Sequence, residues 1–290
     1  MPTDTLTLND VAVNYDRRGD GTPLLLIPGG VGHGGMFDPF ASRLADRYDV
    51  VAMSSRVASR RQPDTVIGDQ RPEDHAEDAL GLIDALFDAP PVVFGFSSGA
   101  VTALELLARH PDRVRLAIVH EPPMVNLLPD ASRHRAALAS VRAAARTQGP
   151  AEAQALMTAA MTAPGTATGT PELRHAGTWL DGYADTEPEP PGPALTELFT
   201  RLGELQSVML EHILVPFTTH EPDLAALDEH AGRLLPVAGV DSRGQLPYRT
   251  AAALAARLDL PLTELPGGHL GPVERPAQFA EALHELLETP

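Results

Sequence analysis

The chain has 290 residues, 43% of them hydrophobic, and a formal charge of −17. That length suits one large α/β domain or two small ones, and the acidic balance argues against nucleic acid and anionic membranes, which need basic patches. All 22 basic residues are arginine and cysteine is absent, which excludes a lysine Schiff base, a P-loop lysine, a cysteine nucleophile and a thiolate metal site.

The first elements read as strands. Val11 to Arg17 alternates and runs into the turn cluster Arg18-Gly19-Asp20-Gly21. Pro23 to Ile27 is a continuous apolar run suited to a strand buried on both faces, and it ends in the glycine-dense loop Pro28 to Gly35. A helix is expected over Met36 to Tyr48, then a short strand over Val50 to Met53. Pro72 to Phe87 has apolar residues at helical spacing with acids in its first turns. Strand Val92 to Phe94, helix Gly99 to His110 and strand Val114 to Val119 follow in quick alternation, the pattern of a parallel sheet covered by helices.

From Met124 to Leu234 the alternation stops for too long a stretch to be a simple connection. Alanine-rich segments (136–145, 151–160) and the apolar-periodic run Leu195 to Phe217 make it helical in flavour. Strands resume at Leu235 to Val240 and Leu260 to Leu265, and a helix closes the chain at Pro276 to Leu287. The predicted organisation is a core from residues 1–123 and 235–290, with a helical cap over 124–234 between the sixth and seventh strands. Met1-Pro2-Thr3-Asp4 has no basic start or apolar run, and nothing approaches the roughly 18 apolar residues of a membrane helix. A cytoplasmic protein that takes a small molecule, with no membrane or nucleic-acid partner, is the expectation.

The chemistry centres on Gly95-Phe96-Ser97-Ser98-Gly99, at the junction of a buried strand and a helix. A serine on such a bend needs neighbours without side chains two positions away on either side. An unassisted hydroxyl is too weak an acid to attack at neutral pH, so it requires a base, an orienting acid and two oxyanion donors. His269, in Pro266-Gly267-Gly268-His269-Leu270-Gly271 just after the last predicted strand, is the expected base. Asp241, ending Pro236-Val237-Ala238-Gly239-Val240, is the favoured acid, and Glu121, ending the preceding strand, is its rival. The Ser98 amide opens a helix and supplies one oxyanion donor; Gly30, in the loop after Ile27, supplies the other. His33, Phe96, Met124, Trp179 and Met209 are read as pocket lining, with methionines suited to an adaptable apolar site. No metal-ligand spacing or dinucleotide fingerprint implies a cofactor.

On these motifs the whole chain resembles the α/β-hydrolase family: the glycine loop after strand three, the Gly95–Gly99 elbow, the Gly239-Val240-Asp241 strand end and the Gly268-His269 loop. His120-Glu121-Pro122-Pro123 and Asp241 to Tyr248 are most similar to bacterial cap-bearing, esterase-like members. The resemblance implies a mostly parallel eight-stranded sheet flanked by helices. It also implies hydrolysis of an ester, lactone or thioester through an acyl-enzyme on Ser97. A cyclase or thioesterase of a biosynthetic pathway, or a non-catalytic binding protein, would use the same scaffold. Where many relatives carry an Asp-Arg-Arg-Gly-like loop after strand four, this chain has Ser54-Ser55-Arg56-Val57-Ala58-Ser59-Arg60-Arg61.

Overall fold

The apolar runs become strands of one sheet in the computed structural model, which describes residues 3–8, 11–60, 67–162, 171–175, 183 and 187–288. The strands are β1 (Asp4–Leu8), β2 (Val11–Arg18), β3 (Thr22–Ile27), β4 (Tyr48–Met53), β5 (Val92–Phe96), β6 (Leu116–His120), β7 (Leu173–His175), β8 (Leu234–Gly239) and β9 (Leu262–Leu265). They line up in the order β1-β2-β4-β3-β5-β6-β8-β9-β7. β2 runs antiparallel to β1 and β4, and the other neighbouring pairs are parallel.

The sheet therefore has nine strands where eight were expected. Within the stretch whose sequence is helical in flavour, β7 pairs with the outer side of β9, and Leu262 N–H donates to Glu172 O at 2.8 Å to extend the ladder. A three-residue strand is too short for period-two alternation to register in sequence.

The helices are α1 (Asp38–Leu44), α2 (Pro72–Leu86), α3 (Ser98–Arg109), α4 (Ala131–Thr147), α5 (Pro150–Thr162), α6 (Pro193–Gly203), α7 (Gln206–Val208), α8 (Leu214–Thr218), α9 (Leu224–Glu229), α10 (Leu246–Arg257), α11 (Gly271–Glu274) and α12 (Pro276–Glu288). Because successive strand residues point to opposite faces, the central strands feed two separate cores. Leu25, Ile27, Val51, Met53, Val93 and Val119 pack with α2 and α3. Leu24, Leu26, Val50, Phe94 and Ile118 pack with Phe37, Phe40 and Phe279 from the α1 and α12 side. Each such fully buried side chain contributes roughly 1.5–3 kcal/mol of apolar transfer.

The loop after β4 is held by specific bonds despite its unusual sequence. Ser54 N–H donates to Asn14 O at 2.8 Å, and its hydroxyl accepts from Gly34 N–H at 3.0 Å. Arg56 forks onto both Asp78 oxygens at 2.7 and 2.9 Å and donates to Asp74 O at 2.9 Å. Burial pushes the Asp78 carboxyl up, against the pull of that guanidinium.

The apolar run 195–217 is broken rather than continuous. After α6 the chain rewinds through α7, a π-turn over Met209–Ile213, and α8. Pro216 lies inside α8 and has no N–H to give the His212 carbonyl one turn back. That carbonyl instead accepts from Gln70 N–H at 2.8 Å. The wide turn thus ties this segment to the start of α2.

Candidate active site

The carboxyl ends of β3, β5, β6, β8 and β9 converge on one edge, where parallel sheets expose loop-borne groups. Ser97 sits between β5 and α3 with φ +56° and ψ −122°, a backbone shape L-residues rarely adopt. The flanking glycines make that bend possible. A Cβ on Gly95 would lie 2.4 Å from Gly99 O, and one on Gly99 would lie 2.3 Å from Ile27 O. Ser97 N–H donates to His120 O at 2.9 Å, which pins the bend to the end of β6.

His269 Nε2 lies 3.0 Å from Ser97 Oγ, and its Nδ1 lies 2.7 Å from Glu121 Oε2. A carboxylate can only accept, so Nδ1 carries the proton and Nε2 is left bare to receive the serine hydroxyl. Glu121 follows β6 with φ +51° and is fully buried. Its other oxygen accepts from Gly239 N–H at 2.9 Å and from the Ser242 hydroxyl. Burial opposes its charge, yet the bond from His269, the neighbouring His120 and His269 rings and the bond from Ser242 hold its carboxyl below the usual range.

Asp241, favoured as the acid from sequence, does not reach the histidine. A short 3-10 turn over Val240–Ser242 carries it away, and its side chain is 48% exposed while that of Glu121 is 0% exposed. Asp241 Oδ2 instead accepts from Tyr183 Oη at 2.6 Å, and Tyr183 Oη accepts from Gly267 N–H at 2.7 Å. The Arg275 guanidinium lies 4.6 Å over the Tyr183 ring. Burial, then the Asp241 bond, pushes the Tyr183 hydroxyl up to about 12. Tyr183 and Arg275 fasten the loop that carries His269, and no local motif in the sequence announced either.

The two expected oxyanion donors lie together, but not as expected. Ser98 N–H opens α3 and has no acceptor within the helix. Gly30 N–H points at the Ser98 hydroxyl oxygen, 2.6 Å away, rather than standing free.

Ser97, Ser98, His269 and Gly30 open into a cavity of about 300 Å³. Phe96 and Met209 line it as predicted, together with Met36, Met157, Met161 and Phe217. Two expected residues do not. Met124 is fully buried in the core on the α2–α3 face, and His33 faces a separate cleft with Asp16 and Arg201. His33 Nδ1 accepts from Gly35 N–H at 3.0 Å, which turns the ring toward its own loop, and burial holds its pKa down. Trp179 lies outside the described residues. Among the described residues no Asp, Glu or Arg side chain lines the cavity, and no cluster of three His, Asp or Glu is gathered to hold a metal.

Beneath the relay lies His120, fully buried among Phe94, Phe96 and Phe279, its ring 6.4 Å from that of His269. Among the described residues neither of its ring nitrogens has a hydrogen-bond partner, and burial pushes its pKa down to about 4.

A family model described as alpha/beta hydrolase fold matches residues 22–156. The chain is 31% identical over 288 residues to the uncharacterized hydrolase YraK of Bacillus subtilis (strain 168), covering 98% of this chain and 95% of that protein. It is 32% identical over 123 residues to a zearalenone hydrolase of Bionectria ochroleuca, spanning 40% of this chain and 46% of the relative. The crystal structure of the enol-lactonase from Burkholderia xenovorans LB400 superposes with a TM-score of 0.61 at 17% identity, covering 98% of this chain and 99% of that one. Among the described residues no helix is long and apolar enough to cross a membrane.

Proposed function

The chain belongs to the alpha/beta hydrolase family and is a hydrolase, and on that premise we propose that it cleaves an ester, lactone or thioester of a small, uncharged, largely apolar molecule through an acyl-enzyme on Ser97. The observation that carries this reading is the unbroken relay Ser97–His269–Glu121, at 3.0 and 2.7 Å, opening into an apolar cavity. Ser97 Oγ attacks the carbonyl carbon while His269 Nε2 takes its proton. Glu121 stabilises the resulting imidazolium. The tetrahedral adduct collapses as His269 returns the proton to the leaving oxygen or sulfur, leaving the acyl group on Ser97. Water then attacks that acyl group, with His269 again as base, and frees Ser97. The order of roles along the chain is nucleophile, then acid, then base, with the acid following β6.

The substrate class follows from the lining. With no fixed charge among the described residues beside the histidine other than the buried Glu121, a charged ligand would lose its hydration without compensation. Met36, Met157, Met161 and Met209 give an adaptable apolar wall, and Gln245 offers one amide for orientation. Residues 124–234 act as the cap in this reading, since α5, the π-turn and α8 contribute Met157, Met161, Met209, Leu214 and Phe217. Kinship with a zearalenone hydrolase and a fold shared with an enol-lactonase favour lactones among the candidate substrates. A fluorophosphonate probe tests the nucleophile: wild type is labelled at Ser97 and Ser97→Ala is not. Folded wild type that stays unlabelled overturns the reading.

A further inference from the structure

The geometry points to the Ser98 hydroxyl, supported from behind by Gly30 N–H, as the second donor to the oxyanion. This rests on the acyl-enzyme reading above and identifies a group that the reading leaves open. An oxyanion site ordinarily needs two N–H groups free to face the developing charge. Here the Gly30 N–H is already aimed at Ser98 Oγ at 2.6 Å, so it is spent on that hydroxyl. Accepting this bond leaves the hydroxyl its own proton to give. Among the described residues that proton meets no acceptor, and Ser98 lines the cavity beside Ser97.

A hydroxyl that accepts a hydrogen bond is polarised and donates more strongly in turn. The Gly30 amide therefore acts through Ser98 rather than directly. Ser98 would present two donors to one oxygen, its N–H at the start of α3 and its O–H, both at the positive end of the helix. The oxyanion accepts both and no covalent bond to Ser98 is formed. Gly30, with φ +59°, has the backbone shape that turns its N–H to this task.

The test compares hydroxyl-bearing and hydroxyl-free residues at position 98 in the full chain, using p-nitrophenyl butyrate turnover. Wild type is first labelled with the fluorophosphonate; if it is neither labelled nor active, the acyl-enzyme reading fails and this inference with it. With wild type active, Ser98→Ala is expected to lower kcat by about 10²–10³ with KM little changed. Ser98→Thr and Ser98→Val form a second pair of matched shape that differ only in the hydroxyl, which guards against misfolding of any single variant. Thr is expected to turn over about 10²-fold faster than Val and to bind an aryl trifluoromethyl ketone, which forms an oxyanion on Ser97, correspondingly more tightly. Equal rates and affinities for Thr and Val, or a Ser98→Ala enzyme as fast as wild type or faster, would show that Gly30 N–H serves the oxyanion itself and overturn the proposal.

Discussion

Glu121→Gln separates the two candidate acids, because the surrounding bonds dictate how the new amide must lie. Glu121 Oε1 accepts from Gly239 N–H at 2.9 Å and from the Ser242 hydroxyl, so the amide oxygen of glutamine is held there. Its NH₂ then faces His269 Nδ1, where Oε2 stood at 2.7 Å. An amide donor at that point forces Nδ1 to accept and moves the ring proton to Nε2. The serine hydroxyl, 3.0 Å away, then meets an N–H instead of a lone pair. The comparable wrong-tautomer substitution in serine enzymes lowers kcat by about 10⁴, or roughly 5.5 kcal/mol of barrier. The fold should survive, since the substitution is isosteric and keeps the acceptor for Gly239. Asp241→Asn, whose side chain faces Tyr183 rather than the histidine, should leave kcat nearly unchanged. The assay is ester hydrolysis at neutral pH with both variants in parallel. A collapse of kcat in Asp241→Asn with activity retained in Glu121→Gln would refute the assignment of the acid.

Three further outcomes follow from buried groups. His120 is held near pKa 4 in the folded chain against 6.5 unfolded, so the unfolded state binds the extra proton first and stability falls as pH drops from 6.5 towards 4. The loss from this one group is about 3 kcal/mol, and urea titrations across that window should show the slope flattened in His120→Leu, which should also be more stable than wild type at neutral pH because it buries no unpaired nitrogen. Arg56→Ala should cost about 3 kcal/mol in chemical denaturation by stranding the buried Asp78, and adding Asp78→Ala should restore part of it; a purely additive double variant would refute this coupling. Gly99→Ala should lose soluble folded protein or about 3 kcal/mol, since its Cβ would press on Ile27 O and Pro28 O; a wild-type melting temperature would contradict the steric account.

The elbow was legible because its requirement is local. Gly95, Ser97 and Gly99 are fixed by contacts within a few residues and with the loop after β3, and glycine at those places leaves a sequence signature. The helix-covered parallel sheet was legible for the same reason, as each short apolar run is one strand. The acid was not, because β6 and β8 are neighbours and each is followed within two residues by a carboxylate residue. What separates them is Glu121's positive φ and the 3-10 turn that swings Asp241 outward, both set by backbone geometry that residue identity leaves open. Pocket membership failed similarly: Met124 and Met209 look equivalent in sequence, yet one packs in the core and the other at the π-turn faces Gly30. The break in the 195–217 run did have a visible signal in Pro216, whose missing N–H foretells an interrupted helix.

The short strand β7 has a bearing on how this molecule could be re-engineered. It lies at the end of the sheet and takes up the outer hydrogen-bonding side of β9, a strand of only four residues. An uncovered parallel edge is a template for another chain to pair with, and three residues are enough to blunt it. Exchanging residues 124–234 for a segment from a relative, in order to change what the cavity admits, would therefore also remove an aggregation guard. A transplanted segment that brings helices but no replacement for Leu173–His175 should yield a protein that self-associates through β9, however well its new pocket is shaped.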